Sequence, residues 1–457
     1  MSTAKRGFTT AILHSDRDSP IEHGSLHKPM HNSVAYGYRD VRDLAAVFQG
    51  RQSGYAYGRQ GNPTAAALEA KVNTMEGGVA TVCFATGMAA IGAIMLALTR
   101  AGDHVVASSF VFGNTNSQFL TMADHGIGVT FVDATDVRNV EAALTPATKI
   151  VFVETIANPR TQIADLDPIG ELCRARGLIY IVDNTMTSPW LFQPKNVGAS
   201  LIINALTKYI GGHGNALGGA ITDTGAFDWT KYPHIAESYK AQKPELWGIQ
   251  QIRKKGLRDF GGTLAAEQAH LIAVGAETLA LRMDRQCANA QGLAAFLASQ
   301  PKVRAVYYPG LASHPQHRRS KVLFRAHGAL LSFELAEDID TFAFLNRLKV
   351  VVLSSNLGDN RTLAIPVAQT IFWEMGAARR ASHTTNGIQP IQRTRSMSSS
   401  SQRHCSKRSR RAPIACSSQP KNVSQTATKI TAMLCIRCRG ESQRHTGNAT
   451  SPPMAAI

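Results

Sequence analysis

Two side chains in this sequence could work on one small molecule, the amine of Lys208 and the carboxyl of Asp183. Asp183 closes the apolar, β-branched run Leu178-Ile179-Tyr180-Ile181-Val182, which reads as a buried strand. A second run, Leu201-Ile202-Ile203, leads through Asn204-Ala205-Leu206-Thr207 to Lys208. Behind the lysine, Gly211-Gly212-His213-Gly214-Asn215-Ala216-Leu217-Gly218-Gly219 reads as a glycine-rich loop. In parallel α/β sheets, ligands sit beyond the carboxyl ends of strands, so both groups would face one crevice.

A lysine able to form a Schiff base and a carboxylate able to keep a pyridine nitrogen protonated are what pyridoxal 5′-phosphate requires. Taken singly, Lys208 is as well read as a solvent-facing lysine and Asp183 as a helix cap. The motifs around them decide for the cofactor. Thr81-Val82-Cys83-Phe84-Ala85 reads as a strand, and Thr86-Gly87-Met88 opens a helix reaching Leu98. A helix start of that kind offers free backbone N–H groups to a phosphate. The glycines of 211–219 do not form G-x-G-x-x-G and do not join a first strand to a helix, which excludes a dinucleotide site there.

Four stretches carry a family resemblance. Val182-Asp183-Asn184-Thr185, Thr207-Lys208-Tyr209-Ile210-Gly211-Gly212-His213, Tyr57-Gly58-Arg59-Gln60-Gly61-Asn62-Pro63-Thr64 and Gly256-Leu257-Arg258-Asp259-Phe260-Gly261-Gly262 occur in this chain. Together they resemble the Cys/Met-metabolism family of pyridoxal-phosphate enzymes, in its O-acetylhomoserine sulfhydrylase and cystathionine γ-synthase branch. The likeness runs from about Gly7 to about Ala381.

The resemblance implies the aspartate-aminotransferase type of α/β fold, fold type I, with a mostly parallel seven-stranded sheet and a small C-terminal α/β domain. It implies that Lys208 carries the cofactor and Asp183 meets the ring nitrogen. It further implies that Gly87, Met88 and Thr207 hold the phosphate, and that Asn158 lies beside the phenolic oxygen. Phe112 stands where much of the family has a ring-stacking tyrosine; a phenyl ring stacks but relays no proton, leaving Tyr57 as the candidate for an acid role. Ala205 replaces a usual serine, which removes one phosphate hydrogen bond. Tyr57 and Arg59 would reach the phosphate of a neighbouring subunit's cofactor, which implies a homodimer or homotetramer with shared sites. Ser355 and Asn356 resemble the loop that closes over a small amino-acid substrate. The implied reaction is γ-replacement on an O-acylhomoserine by sulfide or a thiol; a γ-lyase and a catalytically silent relic stay open as alternatives.

A length of 457 residues allows a large and a smaller domain. We expect an arm over 1–60, a cofactor domain over 61–262, an incomplete small domain over 263–382 and a disordered tail over 383–457. The arm is polar and lacks a long helical period. Its His23, His27 and His31 fall four apart, but Gly24 and Pro29 argue against a helix, so no metal site is expected. From Glu267 to Leu297 apolar residues recur at helical spacing, as one long helix or a pair.

The net charge of +17 suggests a nucleic-acid binder until it is located. Residues 382–457 hold 12 Lys and Arg against the single acid Glu441, together with 13 serines. Such a composition buries too little surface to offset chain entropy. It also matches no final strand of the family, as a shifted reading frame near Ser382 would explain. Lys407-Arg408-Ser409-Arg410-Arg411 and Cys435-Ile436-Arg437-Cys438 lie in that stretch and are read as by-products of it. Neither nucleic acid nor membrane is an expected partner. The polar start and the lack of a long apolar run make the cytoplasm the expected compartment.

Overall fold

The apolar runs around Asp183 and Lys208 become the middle of a sheet. A computed structural model of the chain describes residues 6–17, 21–241 and 243–373, with the backbone of the strand Thr431–Cys435. In chain order the first strands are β1 Ala80–Phe84, β2 His104–Ser108, β3 Gly128–Val132, β4 Thr148–Glu154, β5 Ile179–Asp183, β6 Leu201–Asn204 and β7 Gly219–Asp223. They form one seven-stranded sheet in the order β1-β7-β6-β5-β4-β2-β3. Its pairings from β3 through β2, β4 and β5 to β6 are parallel. β7 runs against both of its neighbours, β6 and β1. β1 therefore points the same way as β6, and the carboxyl ends of β1, β4, β5 and β6 meet at one edge of the sheet.

Each central strand buries both faces, which is why its sequence reads as an unbroken apolar run rather than an alternation. Ile150 and Phe152 of β4 and Ile179 and Ile181 of β5 pack into one layer. Val151 and Val153, with Tyr180 and Val182, pack into the layer on the opposite face. Fully burying side chains of this size stabilises by roughly 1.5–3 kcal/mol each.

The glycine-rich stretch ends one residue earlier than its composition suggests. Gly219 is not loop but the first residue of β7. A Cβ there would lie 2.2 Å from the Thr86 carbonyl oxygen and 2.8 Å from Gly87 Cα. That glycine permits a close backbone approach, not a turn.

The arm contains more helix than expected, in pieces too short to show a period. These are α1 Phe8–His14 and α2 Val41–Phe48, the latter capped by the Asp40 carboxylate on Arg42 N–H. The helix α3 Pro63–Glu76 then starts at Asn62, whose side chain accepts from Ala65 N–H, and ends at Gly77 in the left-handed region. The helical stretch after Glu267 is a pair, Ala266–Ala276 and Leu279–Ala298.

A second sheet gathers β8 Val303–Tyr307, β9 Leu330–Leu335, β10 Val352–Leu353, β11 Leu363–Pro366 and β12 Thr431–Cys435. Its order is β10-β11-β12-β9-β8. β12 corrects the sequence reading, which found no strand in residues 383–457. It lies between β11 and β9, antiparallel to both, with Ala364 opposite Leu434 and Phe333 opposite Ala432. Averaging composition over the whole tail hid the apolar run Met433-Leu434-Cys435-Ile436, which satisfies the length and residue preferences of a short strand. The other expectations for residues 383–457, disorder included, lie outside the described residues. Among the described residues no helix is long and apolar enough to cross a membrane.

Candidate active site

The carboxyl edge of the large sheet collects most of the residues singled out from the sequence. Asp183 ends β5 and Lys208 follows β6; the two strands pair with Asp183 opposite Ile203. Asp183 is half-buried, and its Oδ1 accepts from Thr185 N–H at 2.9 Å. Burial pushes its carboxyl up from the ordinary range, while the Thr185 hydrogen bonds pull it back. The Lys208 amine donates to Asn356 Oδ1 at 2.9 Å. Asn356 thus joins the lysine, while its neighbour Ser355 is exposed. The loop carrying both is pressed onto the lysine backbone. A Cβ on Gly358 would lie 2.6 Å from Lys208 C and Tyr209 N.

Helix α4, Gly87–Leu98, starts at the end of β1 and is capped by Thr86 Oγ1 on Ala89 N–H at 3.0 Å. Gly87 and Met88 occupy its first two positions, so their N–H groups have no acceptor within the helix. A Cβ on Gly87 would sit 3.0 Å from Ala205 Cβ, so bare backbone lines this cradle next to the chain leading to Lys208. The Thr207 hydroxyl turns to the glycine-rich loop instead, donating to Gly218 O at 3.2 Å and accepting from Gly218 N–H at 3.0 Å. Asn158, before a cis proline, is buried, and its Oδ1 has no hydrogen-bond partner among the described residues.

Phe112 caps the helix α5 Gly113–Asp124, and its backbone N–H donates to Glu154 Oε1 at 2.6 Å. Glu154 carried no role in the sequence reading, although it ends an apolar run just as Asp183 does. It is buried at the end of β4, directly opposite Asp183. Burial and the Asp183 charge push its carboxyl well up.

Tyr57 and Arg59 are tied to the segment after Leu257, where the Arg59 carbonyl accepts from the Thr263 hydroxyl at 2.8 Å. The Arg59 guanidinium stands 5.5 Å from the Tyr57 ring centroid and donates to the Arg258 carbonyl. Among the described residues no hydrogen bond joins either to Lys208, Asp183 or the start of α4. Tyr57 is 42% exposed.

An amine, a carboxyl and a helix start thus share one edge of the sheet. A family model described as Cys/Met metabolism PLP-dependent enzyme matches residues 9–388. The chain belongs to that family.

Relatives in this Cys/Met family carry more than one activity name. The L-methionine γ-lyase of Pseudomonas putida is 36% identical over 78% of this chain and 85% of its own. The homocysteine synthase of Schizosaccharomyces pombe is 34% identical over 82% and 91%. A crystal structure of an O-acetylhomoserine (thiol)-lyase from Campylobacter jejuni, carrying N′-pyridoxyl-lysine-5′-monophosphate, superposes with a TM-score of 0.78. It is 27% identical and covers 95% of this chain and 97% of its own. The present chain is therefore a fold-type-I, pyridoxal-phosphate-dependent enzyme of the Cys/Met group, whose chemistry is γ-elimination or γ-replacement on small amino acids. The donor set at the sheet edge fits that cofactor: a helix start at Gly87 where a Cβ would press on Ala205, a buried Asn158 oxygen without a partner among the described residues and a half-buried carboxyl at Asp183.

Proposed function

We propose that this enzyme replaces the γ-acyl group of an O-acylhomoserine with sulfide or a thiol. The observation carrying the site is the Lys208 amine, held by Asn356 on the edge where Asp183 ends β5 and α4 begins. Pyridoxal phosphate, bound there, supplies an electron sink conjugated to the substrate α-carbon. Lys208 would carry the cofactor and, once displaced by the substrate amine, move protons at Cα and Cβ. Asp183 would hold the ring nitrogen protonated, and Gly87 and Met88 N–H would bind the phosphate. Phe112 would stack on the ring and Asn158 would face its phenolic oxygen. Thr207 and the Ser355–Asn356 loop would line the phosphate and the substrate side. The acyl group leaves from Cγ, and the sulfur nucleophile adds at the same atom.

Tyr57 and Arg59 would act on the neighbouring subunit's cofactor in a homodimer or a dimer of dimers, Arg59 as a bidentate phosphate donor. The exposure of Tyr57, and the lack of a hydrogen bond from either residue to Lys208 among the described residues, support that reading. The second reading is a γ-lyase, favoured by the methionine γ-lyase relative. Product analysis with O-acetyl- and O-succinylhomoserine, each with and without sulfide, separates the two. Sulfide-dependent thiol product supports replacement, and 2-oxobutanoate with ammonia regardless of sulfide overturns it. Lys208→Ala should abolish the borohydride-reducible adduct between protein and cofactor.

A further inference from the structure

Beneath the candidate site lies a fully buried polar chain that the proposed reaction does not use. Glu76 ends α3 and has no exposed surface. Its Oε1 accepts from Asn184 Nδ2 at 2.9 Å and from Asn204 Nδ2 at 2.6 Å. Asn184 directly follows Asp183, and Asn204 is the last residue of β6, just before the stretch that leads to Lys208. The Thr187 hydroxyl donates to Asn184 Oδ1. It in turn receives the Thr155 hydroxyl at 3.0 Å, and Thr155 directly follows Glu154 at the end of β4. Asn184, Thr187 and Thr155 are fully buried and Asn204 is 1% exposed.

One carboxyl therefore ties together the ends of two neighbouring strands, and the hydrogen-bonded chain behind it reaches a third. We propose that Glu76 is a positioning residue for the cofactor site, fixing the spacing between the Asp183 end of β5 and the Lys208 end of β6. This inference rests on the reading that Lys208 and Asp183 hold the cofactor. The chain runs from β4 to β6 without touching solvent, so no water can take over a lost bond cheaply. Removing Glu76 strands the buried Asn204 amide and leaves the Asn184 amide with the Phe192 carbonyl alone, on the two strand ends that the cofactor must bridge.

The charge state follows from the same geometry. Glu76 Oε2 is buried and has no hydrogen-bond partner among the described residues, nor has Asn204 Oδ1. Salt-bridge partners for Glu76 are likewise lacking among the described residues. An anion would bury an uncompensated charge in a dry site, which favours the neutral acid. Burial pushes this carboxyl up to about 7. Glutamine copies the neutral acid in shape and charge, and its oxygen can still accept from both amides.

The test compares Glu76→Gln with Glu76→Leu in the full chain. Pyridoxal-phosphate affinity is read by visible absorbance titration, and the melting of the cofactor-free protein reports the fold. Glu76→Gln is expected to keep the band position and an affinity within about twofold of the parent. Glu76→Leu is expected to bind roughly tenfold more weakly, with a displaced band, while still melting cooperatively. If Glu76→Leu does not fold, Asn204→Ser removes one donor more gently and should weaken the cofactor in the same direction. An unchanged band and affinity in the Leu or Ser variant overturns the proposal, as does a Gln variant as impaired as Leu. Lys208→Ala, run alongside, keeps the two readings apart. Loss of the adduct there with an unaltered Glu76→Leu overturns the Glu76 inference alone. A reducible protein adduct persisting in Lys208→Ala overturns both.

Discussion

Glu154 and Asp183 stand opposite one another in the register of β4 and β5, two carboxyls on one edge of the sheet. Like charges this close disfavour double ionisation, and the protons belong to the pair. Glu154 is the more buried and is pushed up both by burial and by the Asp183 charge. Of the two, Glu154 is the one pushed further toward holding a proton, while the hydrogen bonds from Thr185 pull Asp183, half-buried, back toward the charged form. A cationic ring nitrogen held by Asp183, as proposed above, would reinforce that difference. Asp183→Asn should bind cofactor but lose turnover by on the order of a hundredfold or more, the scale of deleting one preorganised electrostatic partner. Steady-state kinetics on cofactor-saturated protein checks this; undiminished kcat would remove Asp183 from the mechanism.

Gly358 provides a second test, at the seam between the substrate loop and the lysine. Its φ of 76° lies in the left-handed region, and a Cβ would come within 2.6 Å of the Lys208 backbone. Gly358→Ala thus combines backbone strain with a clash against main chain, which cannot swing aside. We expect a loss of about 2–4 kcal/mol of stability. Displacement of Asn356 from Lys208 should then raise KM and lower kcat while cofactor stays bound. Denaturant melts and kinetics on the same preparation check both; a neutral outcome would show that the loop is not pressed on the lysine.

The buried acids also set a pH dependence. Burial pushes Glu76 and Asp223 each up to about 7, from ordinary values of 4.5 and 3.8. An acid whose pKa is higher in the folded state binds its proton more tightly there. Its contribution is complete below the unfolded pKa and is lost as pH rises through the folded one. The cofactor-free protein should therefore lose stability between about pH 4 and pH 8, with Glu76 accounting for on the order of 3 kcal/mol. Melts across that range should show a shallower slope in Glu76→Gln than in the parent. Parallel slopes would mean that Glu76 is already ionised in the fold.

Much of the scaffold was legible because its central strands bury both faces. The run ending at Asp183 and the run before Lys208 show it in their unbroken apolar residues. The helix start at Thr86-Gly87 was legible because caps are local chemistry. The partners of those residues were not. Asn356 reaches Lys208 from 148 positions away, and Asn204 reaches Glu76 from 128. Such contacts depend on how distant segments pack, and no local period encodes them. Glu76 carried no role in the sequence reading, since nothing local marks a carboxyl that will be buried. β12 was missed because a charged, serine-rich context diluted one short apolar run.

That strand sharpens the last prediction. β12 fills the place between β9 and β11, so the small sheet is not left with an open gap there. Its residues, Thr431-Ala432-Met433-Leu434-Cys435, include no arginine. The family resemblance implies a final strand and helix with an arginine that grips the substrate α-carboxylate; the sequence assigns that role to neither Arg393 nor Arg395, and both lie outside the described residues. Truncating one partner of a buried charge pair costs about 2–5 kcal/mol, and each 1.4 kcal/mol is roughly tenfold in rate. The cofactor contacts proposed for this chain's own strands and helices lie before residue 220, apart from the loop at Ser355 and Asn356. The protein should therefore bind pyridoxal phosphate and yet turn over O-acylhomoserine poorly. A chimaera in which a family-type ending replaces residues 383–457 should raise kcat/KM by about a hundredfold or more, with little change in the visible band. Equal kcat/KM in the two proteins would mean that another group already holds the carboxylate, and the arginine argument would fail.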